Sequence, residues 1–137
     1  FLAVAIGTSH GARKFKGKVS LRMDLLKEIK RVVNKPLVLH GASGVPPAVV
    51  QEAEKYGADL FGVKGVPDSQ IRKAVRYGIN KFNTDTDLRL AFDAGIRKVI
   101  KTKPTVFDPR KILGPAREKI QKVAEQRIQL LGSRGKA

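Results

Sequence analysis

Residues 36–46 of the chain read PLVLHGASGVP, and this stretch decides which fold the sequence can adopt. Pro36 stops a preceding helix, and the apolar residues 37–39 predict a short buried strand of a parallel sheet. His40 follows the strand at once, and a loop of small residues follows His40. Parallel folds place their chemistry at the carboxyl ends of their strands, so His40 is a candidate functional residue.

A second apolar run ends in the same way. Residues 1–11 read FLAVAIGTSHG, so His10 also precedes a glycine, Gly11, and the chain has only these two histidines. Imidazoles at neighbouring strand ends can bind one metal ion, and a catalytic zinc commonly has three protein ligands and one open position. The alternative is that each histidine caps its strand by a hydrogen bond. The occurrence of both histidines, His10 and His40, in the same context favours a metal site. The third ligand of such a site is not in this sequence.

Strands and helices alternate along the rest of the chain, which predicts an α/β fold with a parallel sheet. A third, less apolar strand is predicted over residues 79–83. Helices are predicted from about 21 to 33, 47 to 55, 68 to 77 and 84 to 101, with a short helix after Asp108-Pro109 and a final helix over 115–131. Asp68 and Ser69 are candidate caps of the third helix. Two helices are expected to bury apolar faces: Leu21, Leu25, Leu26, Ile29, Val32 and Val33 in the first, and Ile120, Val123, Ile128 and Leu131 in the last.

Composition limits the class of protein. The 28 Lys and Arg against 12 Asp and Glu give a net charge of +16. Nucleic-acid binding would explain this charge, but the basic residues are spread over almost every helix and aromatic residues are few, so a solvated surface is favoured and nucleic acid is not expected as a partner. The chain has no cysteine, and its opening run is too short to span a membrane. We expect a cytoplasmic protein without a membrane partner.

Two loops combine into a candidate phosphate site. Gly41, Ala42, Ser43 and Gly44 follow the second strand, and Asn83, Thr84, Asp85 and Thr86 lie at the end of the third strand and the start of its helix. Backbone N–H groups and the positive end of a helix bind phosphate without a cationic side chain. The alternative for the second loop is an ordinary helix N-cap.

Several ordered motifs resemble the class II fructose-1,6-bisphosphate aldolases. They are GTSHG (7–11), PLVLHGASGVP (36–46), NTDTDLR (83–89), FDPRK (107–111) and PAR (115–117). The resemblance covers essentially all 137 residues and implies the C-terminal part of a (β/α)8 TIM barrel, about three βα units plus terminal helices. A whole barrel needs about 250 residues, and the first residue, Phe1, already lies in a strand-like run, so residues 1–137 are expected to be a partial barrel domain without its N-terminal portion.

The resemblance implies zinc-assisted, reversible cleavage of fructose 1,6-bisphosphate to dihydroxyacetone phosphate and glyceraldehyde 3-phosphate, in glycolysis and gluconeogenesis. In this reading, zinc acts as a Lewis acid on the ketone oxygen. Cobalt or iron are alternatives to zinc, and a monovalent cation is a further candidate. The substrate is a phosphorylated ketose, and a homo-oligomer, a dimer or tetramer, is implied.

Residue roles are carried over from the matching motifs. His10 and His40 match zinc ligands, and Asn83 matches a residue with roles in catalysis and phosphate binding. Asp85 and Arg89 match positions that select the substrate, Lys14 matches a lysine of the flexible loop, and Arg110, beside Asp108, matches an arginine that reaches the second phosphate from a neighbouring subunit. The remaining residues expected to bind phosphate are Gly11, Gly41, Ala42, Ser43, Thr84 and Thr86.

The chain departs from the family pattern in four ways. Arg13 stands where the family usually has an aromatic residue, and three residues of the family match no residue here: the third zinc histidine, the acid/base aspartate and an acidic loop residue used in proton transfer. We therefore expect the chain to be incomplete and inactive alone. Tagatose-bisphosphate aldolase is the alternative within the class, and a non-catalytic basic binding module on the same scaffold is the alternative outside it.

Overall fold

The computed structural model describes residues 1–8, 19–60 and 62–136. Over these residues it contains three strands and five helices: β1 (Leu2–Val4), α1 (Met23–Val32), β2 (Leu37–Leu39), α2 (Pro47–Lys55), α3 (Asp68–Arg76), β3 (Ile79–Phe82), α4 (Thr86–Thr102) and α5 (Pro109–Leu130). The strands form one parallel sheet in the order β1-β2-β3. The predicted α/β class and parallel sheet are therefore confirmed.

The central strand β2 is the most deeply buried part of the sheet. Leu37 and Leu39 are fully buried, and Val38 is 6% exposed. The pairing of β2 with β3 skips one residue, because Leu37 lies opposite Ile79 whereas Val38 lies opposite Lys81. The side chain of the skipped residue, Asn80, accepts a hydrogen bond from the Leu37 amide at 3.0 Å. This bond satisfies a backbone group that the irregular pairing would leave unpaired.

The helices pack mainly through α4, which contacts both α2 and α5. Its closest approach to α5 is at Gly95, where an added Cβ would lie 2.5 Å from the Cα of Ala116. Glu52 of α2 forms ion pairs with Lys119 of α5 and, at 3.6 Å, with Lys98 of α4. Burial acts to raise the pKa of Glu52, but the two lysines outweigh it and the pKa is lowered.

The first helix carries an exposed ion pair at its start. Arg22 donates to both carboxylate oxygens of Asp24, with the shortest contact at 2.6 Å. This pairing lowers the pKa of Asp24 to about 2. Among the described residues, no helix combines the length and the apolar character needed to cross a bilayer.

Three sequence predictions about helices were wrong. The short helix after Asp108 and the final helix are one continuous helix, α5, with Pro115 inside it. Proline removes a hydrogen bond in a helix interior, and we attribute the continuity of α5 to its close packing along α4. The residue before Pro115 is Gly114, which has no Cβ to clash with the proline ring. Asp68 and Ser69 do not cap α3, whose N-cap is Pro67 without a side-chain bond.

The third error concerns which residues face the core. Val32 is 75% exposed because α1 ends there, and Ile128 is 46% exposed. The buried position on the last turns of α5 is held by Arg127, which is only 9% exposed. An arginine therefore stands where the apolar pattern placed an isoleucine.

Candidate functional site

The candidate site lies where β2 and β3 end side by side. His40 follows β2 directly and Asn83 follows β3 directly. The Asn83 amide donates to the carbonyl oxygen of Leu39 at 3.3 Å, which continues the strand pairing by one residue. Parallel pairing thus forces both side chains to the same edge of the sheet.

The two side chains contact each other at that edge. The Nδ2 atom of Asn83 lies 3.0 Å from Nδ1 and 3.1 Å from Nε2 of His40. The Oδ1 atom of Asn83 accepts a hydrogen bond from Lys81 Nζ at 2.5 Å, which orients the carboxamide so that its N–H groups face the imidazole. A neutral imidazole has one unprotonated nitrogen, which can either accept from this amide or bind a metal, so a metal on His40 would replace the hydrogen bond to Asn83.

The metal prediction is tested only in part by this geometry. His10 lies outside the described residues, as do Gly11 and Lys14. Within the described ranges, no group of three or more His, Cys, Asp or Glu side chains is arranged to hold a metal ion. The donor chemistry of His40 fits zinc, since a neutral imidazole at a strand end is a common zinc ligand.

The loop after His40 is tightly constrained. Gly41, Ala42 and Ser43 are buried, and Gly41 has a positive φ of 63°. The Ser43 carbonyl oxygen accepts a hydrogen bond from the Val66 amide at 3.0 Å. Ala42 also lines a small cavity of about 10 Å³ together with Thr84, so the two predicted phosphate loops meet inside the protein.

The loop is held from behind by Asp87, in the first turn of α4. Its carboxylate is fully buried and accepts hydrogen bonds from the Val45 amide at 2.7 Å and the Gly44 amide at 3.2 Å. The Gly44 amide is therefore used by the protein itself, which leaves residues 41–43 of the predicted phosphate loop.

The other predicted substrate residues lie on the surface. Asp85 precedes α4 without capping it through its side chain and instead accepts from Arg89 Nε at 2.9 Å; both side chains are largely exposed. Thr86 begins α4 and is half-buried. Arg110 is paired with Asp108, whose side chain caps α5 by accepting from the Arg110 amide at 2.9 Å. The Arg110 side chain, hydrogen-bonded to Asp108, lowers the pKa of that carboxyl.

Sequence reasoning missed two residues that shape the site, Asp87 and Arg127. Asp87 lies within the NTDTDLR motif, but nothing in the local sequence distinguishes its role from that of Asp85. Arg127 follows Val123 by four residues and so shares its helical face, which is the signal that could have identified it.

Comparison with known proteins agrees with the resemblance. The family model described as fructose-bisphosphate aldolase class-II matches residues 1–61 and 59–136. The chain is 49% identical over 137 residues to the fructose-bisphosphate aldolase of Thermus caldophilus, covering 100% of this chain and 45% of that protein. It is 51% identical over 136 residues to the fructose-bisphosphate aldolase of Helicobacter pylori, covering 99% of this chain and 44% of that protein.

The structure is also similar to a solved one. The X-ray structure of the YdjI aldolase from Escherichia coli K12 superposes with a TM-score of 0.71 and 30% sequence identity, covering 99% of this chain and 41% of that one. The chain thus spans just under half the length of the relatives that it matches. It belongs to the class II fructose-bisphosphate aldolase family.

Proposed function

We propose that this chain forms the C-terminal part of a (β/α)8 barrel and contributes the dihydroxyacetone phosphate side of a fructose-bisphosphate aldolase site. The observation that carries the proposal is the contact of Asn83 with His40 at the carboxyl ends of two adjacent parallel strands. Such an edge is where barrel enzymes assemble their sites.

His40, with His10, would hold a divalent metal, zinc being the first choice. When bound, the metal supplies Lewis acidity for the ketone oxygen of the substrate. Asn83 contacts the His40 ring, and Lys81 binds the Oδ1 atom of Asn83 and so limits rotation of its carboxamide. The third histidine and the acid/base aspartate of the family are not supplied by the residues of this chain.

The loop of Gly41, Ala42 and Ser43 would bind a phosphate group together with Asn83, Thr84 and Thr86. Support comes from the adjacency of the two loops, which meet at the small cavity lined by Ala42 and Thr84. At about 10 Å³ this cavity is itself too small for a phosphate, which would lie outside it. A rigid loop binds phosphate without being ordered first, so binding energy remote from the reacting carbon serves to orient the substrate. Asp85, Arg89, Lys14 and Arg110 would contact the remainder of the substrate, Arg110 doing so in a neighbouring subunit of an oligomer.

The proposal is tested by following triose phosphate release from fructose 1,6-bisphosphate. The protein, purified as its own cells make it and supplied with zinc, is expected to cleave this sugar faster than tagatose 1,6-bisphosphate. The 137-residue chain alone is expected to show no turnover. Absence of cleavage by the purified, zinc-loaded protein would contradict the proposal.

Asn83→Ala is the variant that tests the carrying observation. It removes the contact with His40, and we expect a loss of activity of about 10- to 100-fold, the scale on which substitution of residues next to metal ligands affects function. Asn34→Ala is the matched control, since Asn34 is an exposed asparagine beyond α1 and should leave cleavage unchanged. Equal activity of the two variants would remove Asn83 from the site.

A further inference from the structure

Arg127, near the end of α5, is a buried cation with two carboxylate partners. Its side chain is 10% exposed, and its Nη1 atom donates to Asp68 Oδ1 at 3.0 Å. Its Nε atom lies 3.6 Å from Asp87 Oδ2 and, among the described residues, has no hydrogen-bond partner. A buried charge is retained at a cost unless partners compensate it, so its position calls for a role beyond packing.

Asp87 links this cation to the loop after His40. The same Oδ2 atom that faces Arg127 accepts from the Gly44 amide, and Oδ1 accepts from the Val45 amide. Asp87 is fully buried, so its negative charge also needs a nearby cation, and Arg127 is the cation that the described residues place at ion-pair distance. The arginine and the loop are thus joined through one carboxylate.

The loop would not hold its conformation without such support. Val45 has a φ of 45°, in the left-handed region that a β-branched residue avoids. Two glycines let the supporting elements approach: a Cβ on Gly44 would lie 2.5 Å from Arg127 Nη1, and a Cβ on Gly65 would overlap the Gly44 carbonyl group. The hydrogen bonds to Asp87 stabilise the strained backbone at Val45. Arg127 and Gly65 pack against the neighbouring residue, Gly44.

We propose that Arg127 and Asp87 are positioning residues for phosphate binding. The Arg127–Asp87 ion pair holds the Gly44 and Val45 amides, and these fix the direction in which residues 41–43 leave the His40 strand. Neither residue touches the substrate. The inference rests on the proposed phosphate role of the loop, but the geometry of the loop can be tested independently of activity.

The test replaces Arg127 with methionine in the protein as its own cells produce it. Hydrogen exchange at the Gly44 and Val45 amides is expected to accelerate at least about tenfold, while exchange in the interior of α5, at Val123, stays protected, because a locally opened loop exchanges without global unfolding. The dissociation constant for inorganic phosphate is expected to rise about tenfold, about 1.4 kcal/mol, with the zinc content unchanged.

Further variants separate this role from a merely structural one. Lys122→Met removes an exposed cation from the same helix and should alter neither readout. Asp87→Asn, which keeps the shape but not the charge, should reproduce the effect of Arg127→Met, and the double variant should be no worse than the more affected single variant because the two act as one unit. Arg127→Lys should recover part of the phosphate affinity.

Each possible result of these experiments leads to a different conclusion. Unchanged amide protection and phosphate affinity in folded Arg127→Met overturn the inference. If that variant does not fold, Asp87→Asn and Arg127→Lys decide by the same two readouts. If the unaltered protein does not cleave fructose 1,6-bisphosphate, the proposed function is wrong, but the amide exchange rates still test whether the Arg127–Asp87 ion pair holds the loop.

In steady-state assays the same role predicts a particular split. The KM for fructose 1,6-bisphosphate should rise in Arg127→Met by more than kcat falls, because phosphate binding is weakened while His40 and Asn83 keep their contact. A fall in kcat alone, at constant KM, would speak for damage at the metal side and against phosphate positioning.

Discussion

Replacing Gly95 by alanine tests the packing that carries α5 past Pro115. Alanine is favoured over glycine in a helix interior by about 1 kcal/mol, so propensity alone predicts a more stable protein. In the structure, however, the new Cβ would lie 2.5 Å from the Cα, 3.0 Å from the Cβ and 3.1 Å from the backbone nitrogen of Ala116. Both positions are buried, so α4 and α5 must move apart.

The unfavourable contact of the new Cβ with Ala116 is expected to cost more free energy than the higher helix propensity of alanine gains. Overpacking costs about 1–3 kcal/mol where side chains can adjust, and here backbone atoms are in the way, so we expect a net loss of about 2 kcal/mol. For a chain of this size that corresponds to a melting temperature lower by about 7 °C. Far-ultraviolet circular dichroism during heating and urea titration gives both quantities.

Gly114→Ala is the comparison variant. Gly114 lies in α5 with nothing within 4 Å of an added Cβ, and the following Pro115 offsets the gain in helix propensity. Its stability should stay within about 0.5 kcal/mol of the unaltered protein. If Gly95→Ala melts at or above the temperature of the unaltered protein, the close approach of α4 and α5 is not as described and the explanation for the continuous helix fails.

Three further predictions concern charges. Glu52→Gln should lower the free energy of unfolding, measured by urea titration, by about 0.5–1 kcal/mol at pH 7. Because the pKa of Glu52 is lowered in the folded protein, this difference in stability should vanish as the pH falls below about 4. Glu54→Gln, at an exposed position, should have no effect in the same titrations. The Asp24 carboxyl should titrate by NMR at about 2 and closer to 4 after Arg22→Met; equal midpoints would exclude the ion pair in solution. Asp108→Ala should speed amide exchange in the first turn of α5, whereas Asp108→Asn, which retains a capping oxygen, should not.

Much of the fold was predictable because its signals are local. Pro36, Pro46-Pro47 and Gly78 stand at the ends of elements, and the observed helices α2 and α4 lie within a residue or two of the predicted ranges. The apolar run 37–39 became the fully paired central strand. The skipped residue Asn80 was not predictable, because a bulge depends on the neighbouring strand.

The candidate site, like the fold, was predicted from the sequence only in part. The sequence pointed to His40 as the residue directly after the second strand and to Asn83 as the last residue of the third, and the structure brings the two within 3.0 Å. The predicted inward face of α5 was wrong at Ile128, because helical periodicity allows either of two adjacent positions to point inward and hydropathy favours the apolar one. Contacts with Asp68 and Asp87, both distant in the chain, select Arg127 instead.

By itself the sequence determined the order of strands and helices as far as α4, since this depends on backbone propensity and on neighbours along the chain, and its motifs determined the family. Only the tertiary structure decided that α5 continues through Pro115, that Arg127 is buried, and that the Gly44 and Val45 amides bind Asp87. The physical reason is that a buried charge and a strained φ are unfavourable alone. They become stable only when partners from separate helices and loops meet around them.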